Sequence, residues 1–234
     1  MGQFGSKVAS GDSDVGRFLE DFPAPFNPTL GYWDIGPNPG MYDDGDIVYL
    51  DLLGNKIIGA NDIRLTAYES NPPGSKVTAS DNDINKPLSL LPGASAGIYY
   101  ADLYGSQGYD FQDPIYVLTT APTVLGARTS TNDVRLNQIY GLAPGTKVLD
   151  YHPDNDGPAV PMIVPISAGT PIATIRFYNT NGNVNGGGKP IYDYADDVYI
   201  DVSLSSASGY PFGFVVPNDI RLTTSPLRSC TLTR

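Results

Sequence analysis

The sequence predicts an all-β protein of repeated antiparallel β units, sandwich- or arch-like, with an incomplete half unit at each end. Three observations carry this expectation. Of the 25 acidic residues only Glu20 and Glu69 are Glu; Asp forms turns and ends strands, whereas Glu favours helices. Tyr (16 copies), Thr, Val and Ile supply strand formers, while 26 Gly and 21 Pro supply the turns between them. The third observation is internal repetition, sought first because it decides the architecture.

Three segments align without a gap: YDDGDIVYL at Tyr42–Leu50, YDFQDPIYV at Tyr109–Val117 and YDYADDVYI at Tyr192–Ile200. Each is followed by a second signature, NDIRLT from Asn61, NDVRLN from Asn132 and NDIRLT from Asn218. The first two copies stay in step through PPGSKV, ending at Val77, and APGTKV, ending at Val148, then through Asp81-Asn82-Asp83 and Asp154-Asn155-Asp156. The third copy stops soon after its second signature. Its complement stands at the other end, where Gly5-Ser6-Lys7-Val8 and Asp12-Ser13-Asp14 match Gly74-Ser75-Lys76-Val77 and Asp81-Asn82-Asp83. The expected division is therefore a half unit at 1–41, full units at 42–108 and 109–191, and a half unit at 192–234.

Apolar or alternating runs predict strands in chain order at Ile47–Leu53, Ile63–Tyr68, Ile98–Tyr104, Ile115–Thr120, Val134–Tyr140, Ile172–Tyr178, Val198–Leu204 and Ile220–Thr224. Phe18–Phe22 is the one segment that reads as a helical turn. In NDIRL the Ile and Leu face one way and the Asp and Arg the other, because side chains alternate along a strand. If equivalent strands adjoin, Asp62, Asp133 and Asp219 meet Arg64, Arg135 and Arg221 in a ladder that sets register. The recurring Tyr49, Tyr116 and Tyr199 belong to the same set of structural positions. A half unit is too small to sustain a core and leaves a sheet edge unpaired. The two halves must complete each other within one chain, or the half of one molecule must take that of the next, which makes a polymer. The second arrangement is the leading expectation.

Charge and composition exclude several classes. A net charge of −11 with no basic run repels nucleic acid and anionic lipid, both of which require clustered Lys or Arg. No run of about 18 apolar residues offers a membrane span. Residues Met1–Gly11 lack the charged-then-apolar pattern of a signal peptide. Few Lys and Glu beside abundant Tyr, Thr, Asn and Gly suit an extracellular, processed chain.

Candidate chemistry is sparse. Gly93-Ala94-Ser95-Ala96-Gly97 fits a nucleophile elbow, with Asp150 and His152 downstream in hydrolase order. Ser95, however, aligns with Ser167, where the flanking glycine pattern is lost, and no helix follows it, so no enzyme is expected. Asp81 with Asp83 and Asp154 with Asp156 are oxygen pairs of a kind calcium accepts. Asp51, Asn55 and Asp62 also fall at positions of a calcium loop, but the other units lose that spacing. Solvated turn carboxylates are the preferred reading, with no cofactor expected. The aromatic runs Tyr32-Trp33, Tyr99-Tyr100 and Tyr192 with Tyr194 can pack between strands or stack on sugar rings. Cys230, the single cysteine, is a free thiol or half of an intermolecular disulfide.

The YD..D..Y and NDIRLT repeats, with the acidic, Tyr-rich composition, resemble the surface-layer and sheath proteins of methanogenic archaea. More narrowly, the chain is similar to the amyloid-like protein of the tubular cell sheath. The resemblance implies an extracellular tube of stacked hoops built from β-rich subunits, and it brings no catalytic residues. The expected partners are copies of the chain itself, without nucleic acid, membrane insertion or a small-molecule substrate. The alternative is a secreted surface module that binds carbohydrate or another cell, with or without calcium.

Overall fold

The computed structural model describes residues 3–6, 11–13, 15–17, 28–91, 97–101, 114–118, 133–136, 138, 141–148, 163–165, 174–201, 214–215 and 219–223. Within them lie β1 (Thr29–Trp33), β2 (Ile47–Asp51), β3 (Ile63–Arg64), β4 (Ser89–Leu90), β5 (Gly97–Ala101), β6 (Ile115–Leu118), β7 (Val134–Arg135), β8 (Ile163–Pro165), β9 (Thr174–Tyr178), β10 (Asp197–Asp201) and β11 (Ile220–Arg221). The protein is all-β: the described residues contain no helix. The Phe18–Phe22 turn lies outside them. Each of the eight expected stretches holds a strand. β1, β4 and β8 are additional.

The strands form three antiparallel sheets, ordered β3-β2-β1-β4, β7-β6-β5-β8 and β11-β10-β9. One register recurs in all three. Tyr49 stands opposite Arg64, Tyr116 opposite Arg135 and Tyr199 opposite Arg221. The residue after each Arg leaves the ladder in the same way. Leu65, Leu136 and Leu222 donate N–H to the carbonyls of Val48, Ile115 and Val198, each at 2.8 Å. β4 and β8 add a fourth strand beside β1 and β5.

Strand alternation explains where the core sits. Val48 and Leu50, Ile115 and Val117, and Val198 and Ile200 all enter one apolar cluster, joined by Ile63, Leu65, Val134, Leu136, Ile220 and Leu222. The three sheets therefore share a single core. Burying each such side chain stabilises by roughly 1.5–3 kcal/mol. The Tyr of each central strand points to the other face: Tyr49 packs with Ile58, Val77 and Leu88, and Tyr199 with Val215. Because both faces are covered, β2, β6 and β10 are buried throughout.

The half units meet within one chain. Gly5 donates N–H to the Arg221 carbonyl at 2.8 Å, and Arg221 donates to the Ser6 carbonyl at 3.2 Å. The same pair of bonds joins Gly74–Ser75 to Arg64 and Gly145–Thr146 to Arg135. Residues 3–6 thus stand to β11 as the segments at 72–75 and 143–146 stand to β3 and β7, and Asp12 meets Arg221 as Asp81 meets Arg64. Completion by another copy, the leading expectation, does not describe this closed form. The hydrogen bonds of an edge strand are satisfied by whichever segment is tethered nearby.

The units follow one another head to tail around the core. Gly74 carries a φ of +80°, and a Cβ there would lie 2.7 Å from Phe4. Gly145 packs in the same way against Pro73 and the Leu65 carbonyl, and Gly5 against Pro144 and the Leu136 carbonyl. The second unit touches the first, the first touches the third, and the third touches the second.

Candidate functional site

The YD..D segment of one unit and the GSKV or GTKV lysine of its neighbour are halves of one contact. In Tyr42–Asp46 the last Asp sets the loop. Asp46 accepts the N–H of Ile35 and Gly36 on Oδ1, at 2.9 and 2.8 Å, and that of Asp43 on Oδ2, at 2.8 Å. Asp43 in turn accepts the Gly45 N–H and two donors from Asn38. Asp196 and Asp193 repeat this, with Asp196 accepting from Thr180 and Asp193, and Asp193 accepting from Ala195, Asn181 and Asn183. Asp supplies two oxygens on a short side chain, which is what a self-bracing turn requires.

Braced in this way, the loop turns three carbonyls inward, and a lysine from the neighbouring unit fills the socket. Lys147 Nζ donates to the carbonyls of Asp43, Asp44 and Asp46 at 2.5, 3.0 and 2.6 Å and sits 4.6 Å from the Tyr42 ring centre. Lys76 Nζ donates to the carbonyls of Asp193, Tyr194 and Asp196 at 3.0, 3.2 and 2.5 Å, with the Tyr192 ring at 4.5 Å. Three protons meet three acceptors, and the aromatic face covers the remaining side of the cation. Burial pushes both ammonium groups down to about 8, against the pull of Asp196, Asp197 and Asp193 on Lys76 and of Asp44, Asp46 and Asp43 on Lys147. Beside the Lys147 socket is an open cleft of about 390 Å³, bordered by Asp44, Thr66, Leu142 and Thr146. Sequence reading noted GSKV and GTKV as repeat markers and missed the lysines. The available signal was a Lys held at a fixed place in a chain with few cations.

Behind each seam lies an arginine. Arg64 and Asp83 are fully buried. The guanidinium donates from Nε and Nη2 to the two oxygens of Asp83 at 2.8 and 2.7 Å, and from Nη2 to Asp81 at 2.6 Å. Nη1 reaches the Ser75 hydroxyl and the Lys76 carbonyl, both at 3.2 Å, and the Tyr49 hydroxyl donates to Asp83 at 2.7 Å. This bidentate fork is the strong form of the pair. Arg135 donates to the Thr146 hydroxyl and the Lys147 carbonyl. Arg221 donates to the Ser6 hydroxyl at 3.1 Å and to Asp12 at 2.8 Å. Burial works against the Asp81 carboxylate, yet Arg64 and Thr78 together hold it below the usual range. Burial also lowers Arg64, but Asp83 and Asp81 outweigh it and leave the guanidinium more basic than usual. Burial, then the bond to Asp83, raises the Tyr49 phenol.

The expected Asp–Arg ladder is corrected at Asp62 and Arg64. Asp62 accepts the N–H of Leu52 and Gly59, at 2.9 and 2.7 Å, while Arg64 turns to Asp81 and Asp83. The two side chains sit at the end of β3, where a loop with unpaired N–H groups competes for the carboxylate. Burial raises the Asp62 carboxyl to about 7, against its two backbone bonds. Asp133, Asp219, Arg135 and Arg221 are buried as well, and Tyr116 and Tyr199 lie on their central strands.

The oxygen pair Asp81 and Asp83 faces a guanidinium rather than an open loop. Asp51 accepts from Gly54 and Lys56, and Asn55 from Ile57, so the calcium-like spacing belongs to a turn that braces itself. Among the described residues no group of three or more His, Cys, Asp or Glu is placed to hold a metal. The described residues hold no helix long and apolar enough to cross a membrane. Asp154, Asp156, Ser95, Asp150, His152 and Cys230 lie outside the described residues. The aromatic runs pack inward for the most part: Tyr32 meets Tyr42 edge-on at 5.0 Å, Trp33 meets Tyr68 at 5.3 Å, and Tyr192 meets Phe177 at 5.3 Å. Tyr194 is half exposed. Set against family models, curated proteins and solved structures, the chain matches none.

Proposed function

We propose that the chain is a self-assembling extracellular structural protein, a subunit of a cell sheath, surface layer or filament joined to its copies through β-strands. The observation that carries this reading is that the strand contact joining the two ends of the chain, Gly5 and Ser6 on Arg221, repeats the bonds of Gly74–Ser75 on Arg64 and of Gly145–Thr146 on Arg135, so one complementary backbone contact serves any two units. A heterologous contact of that kind generates rings where the rotation closes and filaments where it does not. The placement of the charged and aromatic residues supports it too. Arg64, Asp83, Tyr49, Lys76 and Lys147, the groups from which an active site is usually made, are bonded to one another or to backbone. The acidic, Tyr-rich composition and its resemblance to sheath proteins support an assembly outside the cell, with no nucleic acid, lipid or small-molecule substrate as partner.

Electron microscopy and sedimentation of the purified chain test the reading. An ordered tube, sheet or filament is the expected result. A monodisperse monomer at every concentration and salt examined would refute it.

A further inference from the structure

We infer that copies of the chain meet through a knob and a cleft: Tyr194 of one copy enters the opening beside Lys147 of the next. This rests on the self-assembly reading and adds a side-chain contact to its strand pairing. The cleft lies on the seam between the first and second units and holds about 390 Å³, inside the range of roughly 300–1,000 Å³ in which proteins bind small ligands. Ile47, Ala67 and Leu142 supply its apolar lining, and Asp44, Thr146 and Lys147 its polar groups.

The repeat shows what is particular about this place. The Lys76 seam is built from the same positions, yet Asn71 stands there where Leu142 stands here, and Asp197 where Ile47 stands. Position 44 differs in the opposite sense. Its counterpart is Tyr194, whose ring centre is 5.9 Å from Lys76 Nζ, whereas Asp44 brings no ring to Lys147. One seam is therefore apolar and open where the other is polar and carries an aromatic side chain. Tyr194 is 50% exposed, and no other aromatic side chain among the described residues is exposed to that degree. Val184 and Ile191, also exposed, lie on the same loop, which is tied by the bridge between Val184 and Pro190. A tyrosine ring seated in an apolar cleft beside a cation gains burial and cation–π attraction together. Lys189, exposed on the Tyr194 loop, offers a positive charge to the exposed Asp44. That offsets repulsion between copies that each carry a net charge of −11.

The ring cannot fill the cleft of its own chain. Lys76 holds the carbonyls of Asp193, Tyr194 and Asp196, and Lys147 holds those of Asp43, Asp44 and Asp46, so each loop is pinned to a different seam. Knob and cleft are different surfaces of one molecule. Each contact therefore leaves one of each unused, and a head-to-tail row can grow from any pair.

The test uses full-length protein under conditions where it polymerises. The repeat supplies substitutions that the fold already carries at equivalent positions: Tyr194→Asp removes the knob, and Leu142→Asn makes the cleft polar. Each variant alone should raise the concentration needed for polymer about tenfold or more, the effect of truncating a central interface tyrosine, while its thermal midpoint stays at the wild-type value. Mixed in equal amounts, the two should form dimers by analytical ultracentrifugation, because one still offers a cleft and the other a knob. A second measurement does not depend on a loss. On a Cys230→Ser background, Tyr194→Cys combined with Leu142→Cys should give a ladder of disulfide-linked multimers when the polymer is oxidised and run on a non-reducing gel. Polymer unaffected by either substitution, a mixture without dimers, or an oxidised polymer without the ladder overturns the knob and cleft and leaves self-assembly standing. Absence of any wild-type polymer removes both.

Discussion

Arg64 shows why a buried ion pair in this protein is a structural commitment. Its guanidinium and Asp83 are both without solvent contact, so removing one partner leaves the other as an uncompensated charge. Arg64→Met should cost about 3–5 kcal/mol, measured as a fall in the urea midpoint with the slope unchanged. Tyr49→Phe removes one bond to Asp83 and leaves the carboxylate its two contacts with Arg64, so its cost should be nearer 1 kcal/mol. Asp62 gives a pH signature of its own. Burial pushes its folded carboxyl up to about 7 from an ordinary 3.8, so the folded state holds the proton more tightly than the unfolded chain. That contribution is fully present below 3.8 and is lost as pH rises through about 7. Urea titrations from pH 4 to 8 should show this loss at up to about 1 kcal/mol per pH unit, and Asp62→Asn should flatten it.

At the scale of strands and loops, each lysine donates to three converging carbonyls from a neighbouring unit. Lys147→Met keeps the stem and deletes the ammonium, leaving the carbonyls of Asp43, Asp44 and Asp46 without it. A loss of about 2–4 kcal/mol is expected, checked by thermal unfolding, and Lys76→Met should match it. The strands were readable because central strands buried on both faces leave unbroken apolar runs, as in IVYL and IYVL. β4 and β8 were not, since two or three residues beside proline carry no period. β1, TLGYW, is missed because the glycine at its centre interrupts the apolar pattern. The register of Tyr against Arg lay in the fixed offsets of the repeat. The lysine sockets lay elsewhere: their acceptors are backbone carbonyls, which every residue has, and only the fold decides where they converge. At Asp62 and Arg64 the ladder expectation fails for a related reason, because sequence shows which side chains share a face but not which loop carries Asp81 and Asp83 back to Arg64.

For the whole molecule, the decisive feature is that residues of all three sheets enter one apolar cluster, with Val48, Val117 and Val198 among them. Each sheet loses the packing of one whole apolar face once the others leave, so the three should unfold together. Calorimetric and van't Hoff enthalpies should then agree, the mark of a two-state transition. The sharper check places the damage in one sheet and the measurement in another. Arg64→Met strikes beside β2 and β3, yet it should speed hydrogen exchange at the Val198 amide, which donates to Thr223 at the far sheet, by the same free energy as at the Val48 amide, which donates to Thr66. Core amides that exchange only through global opening report the global stability wherever they sit. If Val48 loses protection and Val198 keeps it, the sheets open independently, and the head-to-tail seams are joints between separate bodies rather than parts of one.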